Sequence, residues 1–215
     1  LAWDDIPDWA TSVADALLEA IKERDPYTYG HCKRVARNGR LLAQAAGLNE
    51  YEQKVIEFSS LFHDLGKIAI PDHILNKPGR LSAEEEAIMR KHPVHSAEIV
   101  APLSQTPFFK ATLPGVLHHH ERIDGAGYPD GVFGENIPLS ARILLIADTF
   151  DAMTSTRPYR KGLPTEIAYK ELQLFSNRQF DAQLVKVFIE SHPHWGEVEE
   201  EITEHFVATR FKRAA

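Results

Sequence analysis

Apolar positions recur at steps of three and four along most of the chain, the spacing of amphipathic helices. Trp9, Val13, Leu17 and Ile21 predict a first helix over residues 8–23, with that stripe turned inward. Asp25-Pro26 is an N-cap followed by Pro at the first helical position, and it opens a second helix that runs to Gly47. Asn49 with Glu52 forms a capping box for a third helix, which reaches Asp64 before Gly66. Pro71, Pro78 and Gly79 predict a loop over residues 67–81. Ser82 and Glu85 start another helix, stopped near His92-Pro93 because a residue before proline leaves the helical region. Short helices are expected over 96–103 and 107–120, then a long ordered loop over 121–138 rich in Gly and Pro. A strongly apolar helix follows over 139–154, with two more near 164–175 and 181–190. The tail is acidic at Glu197 to Glu201 and basic at Lys212 and Arg213, the order that suits a helix dipole. Few segments alternate as strands do, so the expected fold class is all-α.

Composition narrows the function. Charged residues make up 26% and the hydrophobic class 43%, enough apolar matter to exclude a disordered chain. The net charge of -7 argues against a nucleic acid polymer as partner, while a local basic pocket for a small anion stays open. Cys32 is the single cysteine, so no internal disulfide forms, which suits the cytoplasm. The longest apolar run, around Ile143 to Ala147, is too short to cross a bilayer, so no membrane insertion is expected. The chain starts without Met, and a regulatory domain upstream is expected. The unusual count is eleven histidines, eight of them between His31 and His120.

Their positions matter more than their number. His31 falls on the apolar stripe of the second helix with Val35 and Leu42. His63 shares a face of the third helix with Ile56, and Asp64 is its neighbour. Asp148 sits among Leu144, Leu145 and Ala152. An inward carboxylate costs several kcal/mol unless something neutralises it. His92 and the run His118-His119-His120 end two further helices. Convergence on metal ions in a bundle core explains all of these together. Asp64, with two oxygens, can bridge two cations about 3.5–4 Å apart, an arrangement that clamps in-line displacement at phosphorus.

The loop after the histidine run reads Glu121-Arg122-Ile123-Asp124-Gly125-Ala126-Gly127-Tyr128-Pro129. It belongs to a longer series: Tyr27-Thr28 with His31, His63-Asp64-Leu65-Gly66-Lys67, Ile70-Pro71-Asp72, Lys77-Pro78-Gly79 and Met89 with His92. The series continues through Ile137-Pro138-Leu139, Ala147-Asp148, Phe150-Asp151-Ala152 and Arg157-Pro158-Tyr159-Arg160. In order and spacing, over residues 25–190, this resembles the HD-GYP family of metal-dependent phosphohydrolases.

That resemblance implies an HD-domain helical bundle with a binuclear metal centre that hydrolyses cyclic di-GMP to linear pGpG and on to GMP. It divides the chain into an N-terminal helix (1–24), a catalytic domain (25–195) and a helical tail (196–215). The metal ligands it implies are His31, His63, Asp64, His92, His119, His120 and Asp148. Asp64 and Lys67 are the implied catalytic residues, with Lys67, Arg157 and Arg160 on the substrate's phosphates. Gly127, Tyr128 and Pro129 form the rim, a surface for a protein partner as well as for substrate. The two divalent ions are read as iron or manganese, with zinc compatible by ligand type; a homodimer is one reading of the assembly. Cyclic GMP-AMP as substrate, or a binding module without turnover, are the alternatives. Tyr27 stands where some three-metal members carry Glu, so two ions rather than three are expected. His95 and Ser96 stand where the family often has Gly, and His118 is read as a supporting residue. His73, His192, His194 and His205 are read as surface or packing residues.

Overall fold

The computed structural model describes residues 6–156 and 161–196; Arg157, Arg160 and the expected tail helix lie outside them. The described residues are helical, with one isolated β-bridge between Ser176 and Phe180 and no named strand. Among the described residues ten α-helices run in order: α1 Ala10–Arg24, α2 Pro26–Ala45, α3 Glu50–Phe62, α4 Asp72–Leu75, α5 Ala83–Met89, α6 His92–Val100, α7 Pro107–His118, α8 Leu139–Thr154, α9 Thr165–Leu174 and α10 Ala182–Ser191.

Local chemistry sets most of the boundaries. Asp25 caps α2 by accepting from the backbone N–H groups of Tyr27 and Thr28, with Pro26 behind it. Reciprocal capping boxes start α3 (Asn49, Glu52) and α5 (Ser82, Glu85). Helix α2 ends at Ala45, and Gly47 (φ +82°) supplies the left-handed turn that follows.

The α2–α3 pair is shared by two apolar cores. On one side α1, α6 and α7 close over Phe58, Phe62, Phe108 and Phe109. On the other, α8, α9 and α10 close over Ile143, Ile146, Phe150, Leu172 and Phe188. His192 packs in this second core, as expected of a packing residue: it stacks on Phe188, and its Nδ1 is 2.7 Å from the Tyr169 hydroxyl.

Four expectations need correction. The inward face of α1 is Ala10, Ala14, Leu18 and Ile21, not the stripe beginning at Trp9, which is 43% exposed. The alanines admit close packing, and Trp9 covers the edge by stacking on Phe109. Residues 67–81 are not wholly loop, since a 3₁₀ turn (Leu65–Ala69) and α4 lie there. Arg24 at the end of α1 fixes this segment through the carbonyls of Ile68 and Ile70 and the Asp72 carboxylate. His92-Pro93 starts a helix instead of stopping one, because Pro is tolerated in a first turn, where its missing N–H has no intrahelical acceptor. Finally, α3 stops at Phe62, so His63 is its C-cap and Asp64 lies in the turn beyond.

Candidate metal centre

Five elements meet at one point: mid-α2 (His31), the end of α3 (His63, Asp64), the start of α6 (His92), the end of α7 (His119, His120) and mid-α8 (Asp148). The ends of α3 and α7 both direct partial negative charge there, which favours cations. Close backbone packing makes the convergence achievable. A Cβ on Gly66 would lie 2.1 Å from the His92 carbonyl oxygen, so only glycine lets the turn after Asp64 touch α6. Ser96, fully buried, ties the same contact: its hydroxyl donates to the His63 carbonyl (2.6 Å) and accepts from the Gly66 N–H (2.7 Å).

Three imidazoles are oriented by one device. The Nδ1 atoms of His63, His92 and His119 donate to the carbonyls three residues earlier, at Ser60, Met89 and Val116, over 2.7–2.8 Å. Each Nε2 is therefore left with a lone pair facing inward. His92 Nε2 and His119 Nε2 stand 3.2 Å apart, two acceptors with no proton between them. His63 Nε2 is buried without a hydrogen-bond partner. This donor set fits metal ions: lone pairs converge where nothing else satisfies them.

Asp64 lies between two such groups. Its Oδ2 is 3.4 Å from His63 Nε2 and 3.6 Å from His31 Nε2, while its Oδ1 is 3.3 Å from His92 Nε2. His31, His63 and Asp64 form one cluster of ligand atoms; His92, His119 and His120 form the other. Asp148 Oδ1 reaches the first group, 3.1 Å from His31 Nε2. Each residue expected as a metal ligand is thus brought to one place.

The electrostatics follow from burial. Desolvation holds His63 and His119 neutral, with the neighbouring imidazoles adding to it at His119, and takes His92 down to about 3 and His120 to about 4. Burial opposes ionisation of Asp64, but Lys67 and the surrounding imidazoles outweigh it, so its carboxyl stays below the usual range. His31 goes the other way: burial disfavours its charge, yet Asp148 and Asp151 push it up to about 9. Lys67 Nζ is 2.5 Å from Asp64 Oδ2, with its side chain 26% exposed.

Gly127, Tyr128 and Pro129 fold back onto the end of α7. A Cβ on Gly127 would meet the backbone of Glu121 and Arg122 at 2.5 Å. The Tyr128 ring stacks on His120 at 4.8 Å between centroids, and the Arg90 guanidinium lies 5.0 Å from the Tyr128 ring centre. Tyr27 stacks beside His31, 6.2 Å between centroids.

Sequence reasoning assigned no role to Asp151, Arg34 or Arg90. Asp151 accepts from His31 Nδ1 (2.7 Å) and from Arg34 Nε (2.6 Å), so a carboxylate orients this imidazole where a carbonyl orients His63, His92 and His119. A signal existed: Asp151 is three residues after Asp148 and Arg34 three after His31, each on the same helix face as a ligand. Ser96 and Arg90 depend on contacts between elements and left no such trace.

An all-α bundle with two linked His/Asp clusters in its core defines the class of protein. A family model described as HD domain matches residues 15–184. The chain belongs to the HD-domain family, and its motifs resemble those of the HD-GYP branch. It is 42% identical over 173 residues to the cyclic di-GMP phosphodiesterase response regulator RpfG of Xanthomonas campestris pv. campestris, covering 80% of this chain and 46% of that protein. It is 40% identical to 3'3'-cGAMP-specific phosphodiesterase 2 of Vibrio cholerae, covering 84% and 34%. It is 36% identical to a cyclic di-GMP phosphodiesterase of Thermotoga maritima, covering 92% and 51%. The chain thus spans about half or less of these relatives' lengths. Among solved structures, the Bdellovibrio bacteriovorus HD-GYP-type protein Bd1817 superposes with a TM-score of 0.61 at 20% identity, over 86% of this chain and 64% of that one. This supports the fold.

Proposed function

We propose that this domain is a metal-dependent phosphodiesterase that opens cyclic di-GMP to linear pGpG. The observation that carries the reading is the pair of clusters sharing Asp64, with the lone pairs of His92 and His119 facing each other at 3.2 Å. His31, His63, Asp64 and Asp148 would hold one divalent cation; Asp64, His92, His119 and His120 would hold the other. Imidazole and carboxylate donors suit iron or manganese, and zinc by ligand type. Bound there, the two ions supply Lewis-acid activation of a water and neutralisation of phosphate charge.

The chain's own groups do the rest. Asp64 presents one oxygen to each cluster and keeps them in register. Lys67, partly exposed beside Asp64, would turn its ammonium to a phosphate oxygen of the substrate and offset charge growing there. The Tyr128 ring walls His120 and limits water at the rim. Arg157 and Arg160, assigned to the phosphates by resemblance, complete the anion contacts. Names of relatives support the substrate class: two of the three compared act on cyclic di-GMP and one on 3'3'-cGAMP. No helix among the described residues is long and apolar enough to cross a membrane, in keeping with action in the cytoplasm. The Gly127-Tyr128-Pro129 loop doubles as a partner-contact surface in this reading.

Manganese- or iron-loaded protein is to be incubated with cyclic di-GMP and, separately, 3'3'-cGAMP, and the products separated. Faster production of pGpG is expected. Faster cleavage of 3'3'-cGAMP would overturn the substrate assignment. No product from either, with metal content confirmed, would leave a binding module.

A further inference from the structure

A second donor cluster, unused by the centre above, sits at the outer end of α7. Ligand atoms of His118, Glu121 and Asp130 all lie within 4.8 Å of one another. Successive helical residues point about 100° apart, so His118 faces away from the direction taken by His119. His118 Nδ1 is 3.9 Å from Glu121 Oε1 and 3.7 Å from Asp130 Oδ2, beyond hydrogen-bonding distance.

Two atoms here are left unsatisfied. His118 Nδ1 and Glu121 Oε2 are both buried without a hydrogen-bond partner. The Glu121 side chain is completely inaccessible. Its Oε1 is held by the backbone N–H groups of Asp130 (2.7 Å) and Gly131 (2.9 Å), so the carboxylate cannot turn away. A buried carboxylate facing an unpartnered imidazole nitrogen is costly unless something bridges them. With metal–ligand bonds of about 2.0–2.1 Å, tetrahedral donors stand about 3.4 Å apart. Asp130, whose side chain is 58% exposed on the loop, has the freedom to close the remaining gap.

We propose that His118, Glu121 and Asp130 bind a divalent cation, zinc by the mixture of one imidazole and two carboxylates, with water as fourth ligand. The ion clamps the loop carrying Tyr128 to the end of α7. It is structural, and it is additional to the two ions of the main centre. The expectation of no third ion beside His31 and Tyr27 is unaffected.

The test uses the whole chain. Wild type, His118→Ala and Asp130→Ala are saturated with zinc, desalted and assayed for zinc per chain by mass spectrometry, with helical content checked by circular dichroism. Wild type is expected to retain one equivalent more than either variant. Zinc should slow hydrogen exchange over residues 121–131 in wild type only. The result is a difference between proteins, so it does not depend on how many ions the main centre holds. If His118→Ala unfolds, Asp130→Ala decides, since removal of an exposed loop side chain leaves the core intact. Equal zinc content in wild type and Asp130→Ala would overturn the site.

Discussion

Asp151 offers the sharpest test of how the centre is held. Its carboxylate is buried and takes both His31 Nδ1–H and the Arg34 guanidinium. In Asp151→Ala the two donors fare differently. Arg34, with its side chain 46% exposed, turns to water and loses little. His31, 5% exposed, has no such recourse. A hydrogen bond to a charged group contributes about 1.5–3 kcal/mol, so the first cation position should weaken by about 10- to 100-fold, the range seen when partners of metal-bound histidines are removed. The cluster of His92, His119 and His120 does not touch Asp151 and should keep its ion. Metal titration followed by calorimetry would show one class of site weakened and one unchanged. Asp151→Asn, which keeps one acceptor oxygen, should fall between. Activity should return at high metal concentration. Wild-type affinity at both positions in Asp151→Ala would refute the argument, as would equal loss at both.

Three further outcomes are expected. Asp64→Ala should lose both ions by elemental analysis, whereas His92→Ala should lose mainly one; two ions retained in Asp64→Ala would exclude the bridge. Lys67→Ala should keep its metal content and lose orders of magnitude in kcat, because its ammonium acts on the phosphate; loss of metal instead would place Lys67 in the wrong role. His192 is held down at about 4, by burial first and then by Arg37, below its ordinary 6.5. The unfolded chain therefore binds the extra proton first, and this contribution to stability is present above pH 6.5 and lost as pH falls toward 4. Urea midpoints should drop less between pH 7.5 and 5 in His192→Phe than in wild type; parallel slopes would contradict this.

Much of the candidate site was legible in the sequence because metal ligation needs particular atoms on particular helix faces. An inward His31 or Asp148 conflicts with an apolar stripe, and that conflict is visible along one helix. Capping chemistry is equally local, so the starts of α2, α3 and α5 could be read from Asp25-Pro26, Asn49 with Glu52, and Ser82 with Glu85. Proline was ambiguous: Pro93 stops a helix or opens one, and only the packing of α6 against Gly66 decides. The inward face of α1 was displaced because hydrophobicity alone ranks Trp9 and Leu17 above Ala10 and Ala14, whereas close packing in the first core prefers the small residues. Tertiary structure alone revealed that Asp64 turns one oxygen to each cluster and that Asp151 holds His31 from across the bundle. It also showed that Ser96 ties His63 to Gly66 and that Glu121 faces His118 without a bond. All but the last depend on the relative position of two or more elements, which is fixed by the packing of side chains far from the residues concerned.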